Sequence, residues 1–343
     1  MAATTIGGVT VTEPEPGGAP VVPDGVGVAV LVPCHNEEAT VERVVTDFRR
    51  ALPNSLVVVV DNASTDRTAE LAVAAGAQVI NEPRPGKGWA VRRLLADVDA
   101  DVYVVVDGDA TYDAAAAPRL VERVLKDGCD MVNGARVSDA LDQAAYRRGH
   151  RLGNAVLTWI FQRLFRLPLK DTLTGFRAFS RRFVKSFPSA SEGFEIEAEL
   201  NAHAAFLGVP VAEIETVYLA RPEGSESKLN TYRDGLRILR LNLRLFRDAR
   251  PLTSFSILAL PWLLAALVLV LPPVTEYLNS GLVAKFPSLI AGVGCFLVAL
   301  NLWTAGIVMQ RITRNRVEGV RLTYLSHPGP AGLAAPRGRR HSR

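Results

Sequence analysis

Asp107 and Asp109 are separated by a single glycine, and carboxylates this close repel one another unless a cation lies between or beside them. A hard divalent ion, Mg2+ or Mn2+, meets that need, because such ions are commonly held by one or two carboxylates together with phosphate oxygens. The pair therefore predicts a metal site that neutralises a diphosphate as it leaves. Asp113 either assists there or caps the helix that follows. Upstream, Pro83-Arg84-Pro85-Gly86-Lys87-Gly88 precedes a helical pattern, so Lys87 and its neighbouring amides could meet a phosphate. A plain turn reads equally well, and the stretch is not a P-loop, which needs GxxxxGK[ST]. Arg136, Arg147, Arg148, Arg151 and Arg177 carry the group best suited to gripping phosphate oxygens. Arg221 to Lys228 is a polar, Gly-containing loop that either closes over a site or serves as an exposed linker.

These side chains need a scaffold that gathers them. Val26–Pro33, Leu56–Val60 and Val102–Val106 are short apolar runs, each read as a buried strand; Gln78–Ile80 and Met131–Val132 are weaker. Helical patterns lie between them at Glu38–Leu52, Asp66–Ala75, Gly88–Ala96 and Ala116–Lys126. Alternation of this kind predicts an α/β domain around a mostly parallel, Rossmann-like sheet covered on both faces. His35-Asn36-Glu37, Asp61-Asn62-Ala63-Ser64 and Asp107-Gly108-Asp109 each follow a strand. In open α/β sheets ligands bind beyond the carboxyl ends of the strands. Any one of the three reads as a turn or helix cap; together they predict one site.

The chain has 343 residues and a net charge of +4. Its three cysteines form no CxxC pair and its five histidines no HExxH, which argues against a disulfide framework and a zinc site. Residues 1–25 lack the basic start and apolar core of a signal peptide and read as a loose tail. Residues 26–230 form the α/β domain. Residues 231–251 make an amphipathic helix, with Leu236, Leu239, Leu243 and Phe246 on one face and Arg233, Arg237, Arg240, Arg244 and Arg247 on another. Residues 253–311 carry two uncharged runs, Phe255–Pro273 and Phe286–Gln310, each near the ~20 residues that cross a bilayer. The first run contains Pro261 and ends at Pro272-Pro273, so it reads as short and open to a kink. Residues 312–343 read as a basic, largely disordered tail. Basic flanks beside apolar runs point to a membrane rather than to nucleic acid. The positive-inside rule puts both flanks, the α/β domain and both termini in the cytoplasm.

The order of these motifs resembles glycosyltransferase family 2 with the A-type fold, and within it the polyprenyl-phosphate hexosyltransferases. The resemblance spans roughly Val28 to Gln310. It rests on Val32-Pro33-Cys34-His35-Asn36-Glu37-Glu38, Asp61-Asn62-Ala63-Ser64-Thr65-Asp66, Asp107-Gly108-Asp109, Asp171-Thr172-Leu173-Thr174-Gly175-Phe176-Arg177 and Glu226-Ser227-Lys228-Leu229. It implies that Pro33, Asn36 and Glu37 shape a nucleotide pocket and that Asp61 and Ser64 border the base or ribose. It puts Asp107 and Asp109 on the metal and diphosphate. Lys87 and Gly108 are further substrate-binding candidates to which the resemblance gives no role. Arg136, Arg151 and Arg177 would receive an acceptor phosphate, and Arg221, Ser227 and Lys228 would close on the donor. Many relatives carry two acidic residues where this chain has Asp61-Asn62, a Tyr where it has His35, and a longer polar residue at Thr111.

The implied reaction is inverting transfer of a hexose from a UDP- or GDP-linked donor to a polyprenyl phosphate at the membrane. A homo-oligomer is compatible with the sequence. A phosphate monoester, with a second pKa of about 6, is already largely anionic at neutral pH and needs no general base. A hydroxyl acceptor would need one, with Glu195, Glu197 and Glu199 as candidates. A non-catalytic membrane scaffold with a degenerate fold is the third reading, and the intact aspartate pair argues against it.

Overall fold

A computed structural model of the chain describes residues 4–6, 9–11, 22–23, 25–137, 169–193, 195–219, 240, 246–248, 250–283 and 285–330. The chain divides into two compact units: Met1–Asn242 with Val320–Arg343, and Leu243–Gly319.

In the first unit, β1 (Thr4–Ile6) and β2 (Val9–Val11) form a separate antiparallel pair inside the segment expected to be a loose tail. The main sheet has seven strands: β3 (Val28–Cys34), β4 (Leu56–Asp61), β5 (Gln78–Asn81), β6 (Val102–Val105), β7 (Met131–Val137), β8 (Arg177–Ser180) and β9 (Val211–Val217), in spatial order β5-β4-β3-β6-β8-β7-β9. The neighbours β5, β4, β3 and β6 are parallel, as are β7 and β9. β8 runs antiparallel between β6 and β7. The Val-rich strands suit a pleated surface buried on both faces.

The side chains of β3 alternate between two cores. Val28, Val30 and Val32 join Val41, Val44, Val45 and Phe48 of α1 (Val41–Ala51), while α2 (Thr68–Ala74) adds Ala72 to that face. Ala29 and Leu31 join Ala90, Val91 and Leu94 of α3 (Lys87–Asp97) on the other. α4 (Ala117–Lys126) supports the first face through Leu120, Val121 and Val124. The second is completed by Phe183 of α5 (Arg181–Ser186) and by Ile196 and Leu200 of α6 (Ile196–Leu207). α5 begins where the Ser180 side chain accepts a hydrogen bond from Phe183 N.

The second unit holds α7 (Pro251–Ser280) and most of α8 (Phe286–Ser326), both long and apolar enough to cross a membrane, with mean hydropathy 2.4 and 1.8 over their best windows. α7 does not stop at Pro272-Pro273 as expected. Prolines at those positions withdraw the N–H groups that would bond the carbonyls of Val268 and Leu269. Ser288 Oγ from α8 donates to Leu269 O at 2.8 Å, so one freed carbonyl regains a partner and the helix continues. Gly292 lets the two helices approach, since a Cβ there would lie 2.5 Å from Val270 Cγ2.

α8 also passes the expected end at Gln310. Its 41 residues make about 60 Å of helix, about twice a hydrocarbon core. Its last turn returns to the first unit: Tyr324 is buried, and its hydroxyl donates to Asp130 Oδ2 at 2.7 Å. Residues 312–326, the start of the expected tail, therefore lie in α8. The amphipathic helix expected at 231–251 lies largely outside the described residues.

Candidate active site

The sheet register brings three strand ends to one edge. Cys34 pairs with Asp61 across β3 and β4, and Val106 N donates to Leu31 O at 3.1 Å, so the Asp107 loop leaves beside His35-Asn36-Glu37. Asn36, Ala63 and Ala110, one at each strand end, have φ of 51°, 54° and 55°. Left-handed backbone in residues other than glycine is held only where the surroundings over-determine it, and it concentrates at functional sites.

The first two ends interlock. Asn36 N donates to Ser64 Oγ at 3.0 Å, Thr65 N to Asn36 Oδ1 at 2.8 Å, and Ser64 N to Asp61 Oδ1 at 3.3 Å. Glu37 N donates to Thr68 Oγ1 at 2.8 Å. Thr40 ties this edge to the aspartate loop, donating to Gly108 O at 2.6 Å. Pro33, half-buried in β3, pairs with Val60. His35 Nδ1 lies 2.7 Å from Asn62 O.

Asn62 has an interior role. It is 3% exposed, donates to Glu82 O at 3.1 Å and Arg84 O at 2.6 Å, and accepts from Gly86 N at 2.8 Å. It thereby clasps the loop that delivers Lys87. Two amides of that loop are engaged within the fold, Gly86 N by Asn62 Oδ1 and Gly88 N by Glu192 O, as the plain-turn alternative has it for these two. The contribution of the loop is the ammonium. Lys87 Nζ lies 2.6 Å from Asp107 Oδ1 and 2.6 Å from Glu197 Oε1. Burial opposes its charge, yet Asp107 and Glu197 outweigh burial and hold its pKa above the usual lysine value.

Asp109 is 5% exposed, and its Oδ1 accepts from Thr111 Oγ1 at 2.6 Å and Thr111 N at 3.2 Å. Thr111 therefore orients the carboxylate rather than extending a donor set. Asp113 accepts from Ala115 N at 2.9 Å and caps the 3-10 turn Ala114–Ala116. Among the described residues no group of three or more His, Cys, Asp or Glu side chains is placed to hold a metal. Two carboxylates with hard oxygen donors fit a Mg2+ or Mn2+ ion whose remaining ligands come from a diphosphate.

The segment Asp171–Arg177 forms the facing wall. Gly175 N donates to Tyr112 Oη at 2.9 Å, and Thr174 Oγ1 donates to Gly134 O at 2.6 Å. A Cβ on Gly175 would lie 2.6 Å from Asp107 Cγ, so any larger residue there must displace the Asp107 carboxylate. Arg136 grips Asp171 with two bonds, Nε to Oδ2 at 2.6 Å and Nη2 to Oδ1 at 2.9 Å. Burial would raise the Asp171 pKa, but Arg136 holds it below the usual carboxylate value.

Arg177 does not fit the phosphate role expected of it. It is 1% exposed and donates to Thr174 O at 2.9 Å, Thr172 O at 3.0 Å and Asn201 Oδ1 at 2.6 Å. β8 is enclosed by β6 and β7, so its first side chain is turned into the core, where burial lowers the guanidinium pKa. Arg151, Arg221, Ser227 and Lys228, with Arg147 and Arg148, lie outside the described residues.

A seven-stranded mixed sheet with paired aspartates at its carboxyl edge is the A-type glycosyltransferase arrangement, and the comparisons agree. The model of "Glycosyl transferase family 2" matches residues 29–187. The chain is 36% identical over 225 residues to "Glycosyltransferase AglJ" of Haloferax volcanii, covering 65% of this chain and 72% of the relative. To "Dolichyl-phosphate hexose transferase" of the same organism it is 31% identical over 211 residues, covering 62% and 90%. A crystal structure of glucosyl-3-phosphoglycerate synthase from Mycobacterium tuberculosis with Mn2+, UDP-Glc and phosphoglyceric acid matches with a TM-score of 0.52 and 25% identity, covering 66% of this chain and 80% of that one. The chain belongs to glycosyltransferase family 2 and is a glycosyltransferase.

Sequence reasoning weighed Glu197 as a general base for a hydroxyl acceptor, or as a structural or sugar-binding residue for a lipid phosphate, and missed its bond to Lys87. The two are 110 residues apart, and no local spacing signals the contact. The placement of Gly175 against Asp107 was likewise unseen, although the glycine lies within a motif that marked the family.

Proposed function

We propose that the protein transfers a hexose, with inversion, from a UDP- or GDP-linked donor to a polyprenyl phosphate at the cytoplasmic membrane face. The observation that carries this reading is the Asp107/Asp109 loop in a domain whose chain continues into two helices of bilayer-spanning length. The similarity to a dolichyl-phosphate hexose transferase supports it.

Asp107 and Asp109 would hold Mg2+ or Mn2+, which neutralises the departing nucleoside diphosphate. Solved relatives bound to Mn2+ and UDP-Glc support that assignment. Asn36, Asp61 and Ser64 border the nucleotide, with Pro33 and Glu37 shaping the pocket behind them. Arg136 would receive the acceptor phosphate, a role the family resemblance also gives to Arg151, and the same resemblance gives Ser227 and Lys228, with Arg221 beside them, the role of closing on the donor. The second unit anchors the protein as an integral membrane protein, with the catalytic domain and both termini in the cytoplasm.

Attack by an acceptor hydroxyl would require a base. Glu197 is 6% exposed and bonded to Lys87, which favours the phosphate acceptor. Membranes containing the protein, a divalent ion, labelled nucleotide sugar and polyprenyl phosphate should yield a glycolipid labile to mild acid. Absence of product across UDP-glucose, UDP-N-acetylglucosamine and GDP-mannose would reject the reading.

A further inference from the structure

Lys87 stands where two cations would compete. Its ammonium lies 2.6 Å from Asp107 Oδ1, on a carboxylate that the reading above gives to a divalent ion. Like charges repel, so an ion entering against Asp107 weakens the hold of Lys87 on that oxygen. A buried ammonium left without a partner would be strongly destabilising. Lys87 already has the alternative partner, since Glu197 Oε1 lies 2.6 Å away on a side chain 8% exposed. Neither member of this second pair is a predicted metal ligand. They come from the first turns of α3 and α6, elements packed into the same core and so held in place.

We propose that Lys87 is a built-in counter-cation that balances Asp107 before the divalent ion arrives, and that Glu197 is the positioning residue that retains Lys87 when the ion displaces it. Before the ion enters, the ammonium offsets the repulsion between Asp107 and Asp109. With donor bound, the released ammonium would stay tethered by Glu197, where it could supply positive charge to a diphosphate oxygen. The inference rests on the metal–diphosphate part of the proposed function.

Metal affinity tests it without turnover. Mn2+ binding to the purified full-length protein is followed by the electron paramagnetic resonance signal of free Mn2+, with and without UDP. The variant Lys87→Met/Glu197→Gln removes the competing cation without stranding the Glu197 charge and should bind Mn2+ about tenfold more tightly than wild type in the absence of nucleotide. Glu197→Gln alone removes the negative charge that holds Lys87 away from Asp107 and should bind Mn2+ about tenfold more weakly. Glu197→Asp, which keeps the charge, should fall between wild type and Glu197→Gln. Unchanged affinity in both Gln variants, or weaker binding in the double variant, overturns the inference while leaving the metal site standing. A wild-type protein that binds no Mn2+ even with UDP overturns the metal–diphosphate reading itself.

Discussion

Gly175 faces the carboxylate of Asp107 so closely that a Cβ on the glycine would lie 2.6 Å from Asp107 Cγ. Asp107 cannot yield freely, because Lys87 Nζ holds its Oδ1 at 2.6 Å. Gly175→Ala should therefore displace the carboxylate rather than unfold the sheet. Misplacing a reacting group by about 1 Å can cost on the order of 100-fold in rate. We expect hexose transfer to fall by that order while the melting temperature changes little. Wild-type turnover in Gly175→Ala would show that Asp107 tolerates the shift and is not the metal ligand.

Arg177 offers a contrast between a structural and an acceptor role. Lys in its place keeps the charge but cannot reach three separate acceptors, Thr172 O, Thr174 O and Asn201 Oδ1. Arg177→Lys should lower unfolding stability by about 2–3 kcal/mol, the cost of leaving buried acceptors unmet. Thermal unfolding and steady-state kinetics on the same preparation separate the roles. A raised KM for polyprenyl phosphate with an unchanged melting temperature would return Arg177 to the acceptor site.

At the amino end of β7, Asp130 is fully buried and receives Arg182 through two bonds, Ser180 Oγ at 2.6 Å and Tyr324 Oη at 2.7 Å. The Arg182 guanidinium lies 4.6 Å from the centroid of the Tyr324 ring. Tyr324→Phe keeps the ring and removes one bond to a charged acceptor, a loss of about 1.5–3 kcal/mol. Removal of residues 320–343 should cost more, since the ring contact is lost as well. Differential scanning calorimetry in detergent would measure both. Equal melting temperatures for wild type and truncation would mean that this contact contributes nothing to the fold.

His203 predicts an acid-side loss of stability. It is 4% exposed, packed edge-on against Phe183, with Ser186 Oγ 3.2 Å from Nε2, and burial pushes its pKa down to about 4. A base whose pKa is lower when folded resists protonation in the native state. Its contribution is complete above the unfolded value of ~6.5 and is lost as pH falls from there towards 4, by about 3 kcal/mol. Urea unfolding between pH 7 and pH 4 should show this decline, and His203→Phe should flatten it. An equally steep decline in the variant would assign the effect to other groups.

Much of the molecule follows from local pattern. Val57–Val60 and Val102–Val105 are strands because β-branched residues suit a doubly buried sheet, and their ends at Asp61 and Asp107 mark the site. The two apolar helices are legible from composition, since an uncharged run of such length has few other uses. What local pattern could not supply is every contact between distant segments. The antiparallel insertion of β8 turned Arg177 inward, and only the register of three strands reveals that. The extension of α7 through Pro272-Pro273 depended on a serine from another helix. Asn62 stands where many relatives carry an acidic residue, and only the fold shows that its amide clasps the Lys87 loop. By itself the sequence determined the strands, the carboxylate pair that follows one of them and the two long apolar helices, because each arises from neighbouring residues. Only the tertiary structure decided which cation meets Asp107 and which arginine is buried, because those outcomes depend on packing between residues far apart in the chain.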